Sequence, residues 1–294
     1  MIKTQKIIPA ALITGAVFLV GCINDGSESK PAKNELTTAA VVASNNWTVA
    51  FSPGFLPAFA NTGSNPFWGW ALDKTYSPKP QGGWAIRRFS STTSSIVFPG
   101  GLVDLDIRGS NQLFGVNENG SVFWNDYPYS VTTPWKELTI PTTTLALRVA
   151  AGNDDVWILT NETVAGGNKL YKWKGTGLGS DSWIPVAGGM KEIDVDNNKD
   201  LWGVNDQGYV FRLPGGNPTA SWDLKPFADA KDIAVGGGKA FVITSSPATG
   251  GKAMKKWNGT GWTDIPGGAV NIQVDGGGRL WSGNDQNQIS YYTP

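Results

Sequence analysis

Beyond residue 46 the chain alternates between apolar stretches of about four to eight residues and clusters of Gly, Pro, Asn and Asp. That rhythm predicts strands and tight turns, not helices. Gly188–Arg212, GGMKEIDVDNNKDLWGVNDQGYVFR, shows the plan: an alternating apolar strand, an Asn/Asp turn, an aromatic strand, a hairpin and a second aromatic strand. Gly100–Trp124 and Gly267–Tyr291 repeat it in register, so that Ile193, Leu105 and Ile272 coincide, as do Trp202, Phe114 and Trp281, and Asn205, Asn117 and Asn284. Val156–Gly177 aligns without gaps on Ala240–Gly261, and Pro66–Phe89 is a looser relative of both. The first three copies have tight second hairpins. The other three carry longer ones at Leu72–Gly83, Asn161–Asn168 and Ser245–Lys252. A two-copy unit is therefore present three times.

Trp135, Trp183, Trp222 and Trp262 open successive segments at intervals of 48, 39 and 40 residues. A strand unit of about 40 residues present six times predicts an all-β fold, a six-bladed β-propeller of four-stranded antiparallel blades. The sixth copy stops after its third strand, Gln288–Tyr292, while Trp47–Phe51 precedes the first copy as a spare strand. The expectation is that this N-terminal strand completes the sixth blade and closes the ring, removing an exposed edge.

Composition narrows the chemistry. Charged residues make up 16% of the 294, with 24 basic and 24 acidic side chains, and there is no basic stripe. Binding to nucleic acid needs a positive surface, so no nucleic-acid partner is expected. The chain has no histidine, which removes the commonest general base and metal ligand. No catalytic constellation emerges, and the reading is a non-enzyme without cofactor. Asp194, Asp196, Asn198 and Asp200 have the spacing of a calcium loop, but the glycine at its sixth position and the glutamate at its twelfth are missing. A strand running into a turn accounts for them better, and no metal is expected.

The first residues carry a different signal. Lys3 and Lys6 precede an apolar run, Ile7–Val20, too short for a comfortable bilayer span. Leu19-Val20-Gly21-Cys22 then resembles the bacterial lipobox, and Cys22 is the only cysteine. The resemblance implies removal of residues 1–21, attachment of diacylglycerol at Cys22 and anchoring to the bacterial membrane. Ile23 in place of an aspartate implies the outer membrane. Residues 22–46 are Ser-, Lys-, Asn- and Thr-rich and read as a flexible tether, leaving 47–294 as the propeller.

Lys231–Gly236 (KDIAVG), Leu201–Asn205 (LWGVN) and Gly208–Arg212 (GYVFR), each following an opening Trp, resemble the tectonin repeat family. The resemblance runs from Trp47 to Pro294, with departures at Ser95, where an opening Trp is absent, and at Asn287, where a turn glycine is absent. It implies a six-bladed propeller and carbohydrate recognition, although other family members bind lipid headgroups. Sugar binding calls for an aromatic face beside planar polar groups. Trp202/Asn205/Asp206 and Trp281/Asn284/Asp285, with Phe114/Asn117 as a third copy, are the candidate ligand-binding residues. The competing reading of the same residues is that the aromatics pack between blades and the Asn-Asp pairs shape turns. Arg87-Arg88 and Lys255-Lys256, on equivalent strands, are candidate contacts for anionic headgroups or else solvated residues. The resulting expectation is a membrane-anchored, lectin-like protein binding a glycan or lipopolysaccharide. The alternative is a protein-interaction scaffold of the bacterial cell envelope.

Overall fold

The computed structural model describes residues 47–51, 55–58, 69–89, 95–109, 112–126, 130–141, 143–175, 179 and 182–292. Residues 1–46, with Cys22, the expected signal and the expected tether, lie outside the described residues.

Almost all regular structure is antiparallel β. The chain begins with β1 (Trp47–Phe51) and then lays down one sheet after another. Blade 1 is β2 (Phe55–Ala58), β3 (Gly69–Asp73), β4 (Trp84–Phe89) and β5 (Ser95–Leu102). Blade 2 is β6 (Asp104–Arg108), β7 (Gln112–Val116), β8 (Val122–Asp126) and β9 (Lys136–Leu138). Blade 3 is β10 (Ala146–Ala151), β11 (Val156–Val164), β12 (Gly167–Trp173) and β13 (Trp183–Met190). Blade 4 is β14 (Glu192–Val195), β15 (Leu201–Val204), β16 (Tyr209–Leu213) and β17 (Asp223–Ala228). Blade 5 is β18 (Ala230–Gly236), β19 (Lys239–Ala248), β20 (Gly251–Trp257) and β21 (Trp262–Ala269). Blade 6 holds β22 (Asn271–Val274), β23 (Leu280–Gly283) and β24 (Ile289–Tyr292), and β1 lies antiparallel to β24 with Trp47 opposite Tyr292. The first strands β6, β10, β14, β18 and β22 pack in succession, and β2 packs on both β22 and β6. The fold is a six-bladed β-propeller.

The core sits between blades. Phe114, Val116 and Val122 of blade 2 pack on Val149, Ile158 and Trp173 of blade 3, and Trp202, Val204 and Val210 of blade 4 on Ile233, Val235 and Val242 of blade 5. Each sheet thus buries both faces, and β15 and β23 are buried along their whole length. This is why the second strands read as continuous apolar runs without polar alternation.

Tryptophan indoles bond across blade boundaries, Trp183 of blade 3 to the Thr139 carbonyl after blade 2 (3.0 Å) among them, and the pairing of copies shows in those that meet a Gly-Gly pair. The Trp135 indole donates to the Pro99 carbonyl (3.2 Å), Trp222 to Ala187 (2.8 Å) and Trp47 to Pro266 (2.8 Å), each from an even blade to the odd blade before it. The acceptor precedes a Gly-Gly pair whose first member has φ near +90° (Gly100, Gly188 and Gly267). A Cβ on Gly188 would lie 3.3 Å from the Trp222 indole nitrogen.

The long hairpins differ from expectation. β11–β12 and β19–β20 are extended ladders ending in the two-residue turns Ala165–Gly166 and Thr249–Gly250, not open loops. Each ladder slips register once, between Leu159 and Thr163 and between Ile243 and Pro247. The connection 74–83 in blade 1 is the irregular one.

Candidate functional site

The expected sugar-stacking aromatics are core residues. Phe114 is 0% exposed, Trp202 6% and Trp281 2%. Phe114 lies between Trp124 and Trp173, and the Trp281 indole donates to Asp275 (3.0 Å). None of the three presents a ring face to solvent. The reason is the strand period. Phe114 and Trp202 point toward the following blade, whereas the turns three residues on lean toward the preceding one. The backbone N–H of Glu118 donates to Gly82 (2.8 Å), of Asp206 to Gly166 (2.9 Å) and of Asp285 to Gly250 (3.0 Å). Aromatic and amide therefore do not meet on one surface.

Asn117, Asn205 and Asn284 share one role. In each, Oδ1 accepts from the backbone N–H two and four residues on: Asn119 and Ser121, Gln207 and Tyr209, Gln286 and Gln288, at 2.8–3.1 Å. These are hairpin-shaping asparagines. The Asn205 and Asn284 amides are further engaged by Gln207 and Gln288. The side chains of Asp206 and Asp285 are exposed on the turn.

Asn117 does border a groove of about 470 Å³ between blades 1 and 2, floored by Ile86, Leu102, Phe123 and Trp135. Some of its elements recur twice: Trp222 bonds Ala187 beside Gly188 and Trp47 bonds Pro266 beside Gly267, on the blades that also carry Asn205 and Asn284. The Pro/Ala-Gly-Gly triplets at 99–101, 187–189 and 266–268 were the sequence signal for this groove.

The larger concentration of chemistry lies on the propeller axis. A cavity of about 360 Å³ is lined by Asp104 and Asp106 of β6, Arg148 of β10, Glu192 and Asp194 of β14 and Asp232 of β18. Alternation along each first strand points these side chains inward in two layers. Asp104 accepts from the Val149 amide (2.7 Å), Asp106 from Ala151 (2.7 Å) and Asp194 from Val235 (2.6 Å), so carboxylates staple neighbouring blades where no ladder can form. Arg148 spans both Glu192 oxygens, at 3.0 and 3.3 Å.

Five carboxyls crowded around one guanidinium, Asp106 and Asp194 buried and the others half-buried, cannot all ionise cheaply. Burial pushes Asp106 up to about 7, against the two backbone N–H groups that favour its charged form and with Asp104 adding repulsion. Burial and the Glu192 charge raise Asp232 to about 8. Asp104, Glu192 and Asp194 are raised as well, chiefly by burial. Burial opposes the charge on Arg148, but Glu192 and Asp104 outweigh it and hold the guanidinium protonated.

The calcium-like spacing is dispersed. Asp194 faces the axis, Asp196 closes its own turn by accepting from Asn198 and Asp200, and Asp200 takes Arg212 and the Gly215 amide. Among the described residues no group of three or more His, Cys, Asp or Glu side chains is arranged to hold a metal ion. Of the basic pairs, Arg87 bonds the buried Asp73 (2.6 Å), Arg88 lies over the Trp70 ring and Lys255 pairs with Asp264.

The sequence matches no curated protein. Solved structures share the fold at low identity. YCF48 from Cyanidioschyzon merolae is 15% identical with a TM-score of 0.54, over 85% of this chain and 99% of that one. YCF48 bound to D1 peptide is 12% identical with a TM-score of 0.52, over 88% and 100%. The Cps50 (Swd1) propeller domain of Myceliophteria thermophila is 10% identical with a TM-score of 0.54, over 84% and 83%. The model of the Tectonin domain matches residues 102–294, which cover blades 2 to 5 and three strands of blade 6, and the chain belongs to that family.

Proposed function

We propose that the protein is a non-catalytic interaction propeller whose partner is another protein. The observation that carries this reading is the distribution of exposed apolar side chains. Tyr76 and Tyr209 stand on second hairpins, and Leu145, Leu147 and Val270 at the entries of β10 and β22. A second hairpin and a first-strand entry share one end of a blade, as the bond from the Asn161 amide to the Leu145 carbonyl (2.8 Å) illustrates. Five of the eight large apolar residues exposed among the described residues thus stand at one end of the blades, where a partner lying across them would cover all five; the other three, Ile96, Val131 and Leu224, lie on or just before outer strands. The peptide held by the propeller of similar fold is consistent with this reading. Crosslinking in cells is expected to return one stoichiometric protein, and Leu147→Asp with Val270→Asp to abolish it without lowering the melting temperature. A crosslinked band indifferent to both substitutions, or none at all, overturns the proposal.

A second reading, glycan binding, is favoured by the groove between blades 1 and 2, with its apolar floor and Asn117 at its rim, whose Trp and Gly-Gly elements recur at two further blade boundaries. Three weak sites on one face would gain by avidity. A glycan and lipopolysaccharide array tests it, and Phe123→Ser, in the floor of the groove between blades 1 and 2, should reduce any signal. For location, we propose export and lipid anchoring at Cys22 in the outer membrane, on the motif described above. Cys22→Ser should move the protein from the membrane to the soluble fraction.

A further inference from the structure

We infer that the axial cavity is the socket of the interaction face, and that the partner fills it with a cationic side chain, Arg or Lys, flanked by apolar residues. This rests on the protein-partner reading and goes beyond it by naming the place and the chemistry.

The cavity opens where the apolar residues gather. Val270, half exposed on that face, is also part of the cavity wall, beside Asn271. Leu147 adjoins Arg148, whose side chain enters the cavity. A segment lying across the face therefore has its middle over the opening. The charge inside is unbalanced. The titratable and charged groups lining it are Asp104 and Asp106 from β6, Arg148 from β10, Glu192 and Asp194 from β14, and Lys231 and Asp232 from β18, with Lys74 at the rim. Lys191 acts on Glu192 from beside it, and β22 contributes the neutral Asn271 and Gln273. Lys74 and Lys231 line the cavity from its exposed rim, so five carboxyls face three cations, and Arg148 is the one bonded to Glu192.

Arg148 also shows how a guanidinium sits there, with Nε and Nη2 on the two oxygens of Glu192. A second cation would find Asp104 and Asp232 within reach of the same opening, both half-buried. A cation beside Asp232, which is raised to about 8, favours its ionised form over the protonated one, so binding releases protons and strengthens as pH rises. The apolar flank adds desolvation, which makes the charge pairing stronger than at an open surface.

The test is an array of short peptides, each with one Arg between varied pairs of Leu, Val, Tyr, Ser and Gly, printed beside twins carrying the neutral isostere citrulline. The expected result is binding by Arg peptides with apolar flanks, at least about tenfold weaker for the citrulline twins. Titration calorimetry should show affinity rising from pH 6 to pH 8.5 with net proton release. Arg148→Gln should tighten binding, because it removes the competing internal cation, and Glu192→Gln should weaken it. Val270→Lys, at a half-exposed position, should weaken it as well and serves if Glu192→Gln does not fold. Equal binding of the twins, pH-independent affinity, or weaker binding by Arg148→Gln would overturn the assignment, as would calcium chloride binding in the cavity in place of any peptide. The in-cell crosslink separates the two levels. A partner that stays crosslinked to Glu192→Gln and Val270→Lys leaves the interaction reading standing and removes the socket, whereas no partner at all removes both.

Discussion

A single asparagine per even blade illustrates how much of the molecule rests on one side chain. Asn205 is buried, and its Oδ1 takes the backbone N–H groups of Gln207 and Tyr209. Asn205→Ala should leave both unpaired and cost about 1–2 kcal/mol in urea denaturation. Asn205→Asp, which keeps the acceptor, should cost less. Neither should alter peptide binding at the axis if the residue only shapes its turn. The asparagines were legible in the sequence because the turn chemistry is local, within four residues. The aromatics were not. In strands buried on both faces, an exposed stacking Trp and a core Trp leave the same trace, and only the neighbouring blade tells them apart.

At the scale of elements, the contact between an odd blade's outer strand and the next blade's tryptophan is the repeated joint. It combines an indole bond with close approach to a Gly-Gly pair. Gly188→Ala puts a Cβ where φ is +93° and 3.3 Å from the Trp222 nitrogen. It should destabilise by about 1–3 kcal/mol, read as a lower midpoint at unchanged slope. Trp222→Phe keeps the ring but drops the donor to Ala187 and should cost about 1 kcal/mol. Combined, the two should cost less than their sum, because they break one contact. The three-fold recurrence of this joint was legible as spacing, since each copy repeats both Trp and Gly-Gly. That the pair meets across a blade boundary was not, because Trp222 follows Ala187 by 35 residues.

For the whole molecule, the axis is where local reading fails most completely and where the electrostatics have the widest reach. Asp104 and Val149, or Asp194 and Val235, meet only because six first strands converge, and nothing within one repeat marks a carboxylate as axial. The consequence is a dependence of stability on pH with an unusual sign. An unfolded aspartate titrates near ~3.9, whereas Asp106 and Asp232 titrate at about 7 and about 8 in the fold. Between those limits the native state holds protons that the unfolded chain has released, so stability is fully present below about pH 4 and is lost as pH rises through the folded values. Exposed carboxylates paired with lysine, such as Glu118 with Lys79 and Glu162 with Lys169, act in the opposite direction. They act below about pH 4.5 and weakly, being solvated. From pH 5 to pH 9 the axis should therefore dominate, and the melting temperature should fall by at least about 3 °C, equivalent to roughly 1 kcal/mol in a domain of this size. Asp106→Asn should be less stable than wild type at pH 5, because one of the two amides loses its acceptor, yet its melting temperature should decline less toward pH 9. A wild-type melting temperature that rises across this range would mean that these carboxyls are ionised in the fold, with water or cations reaching them more freely than their burial indicates.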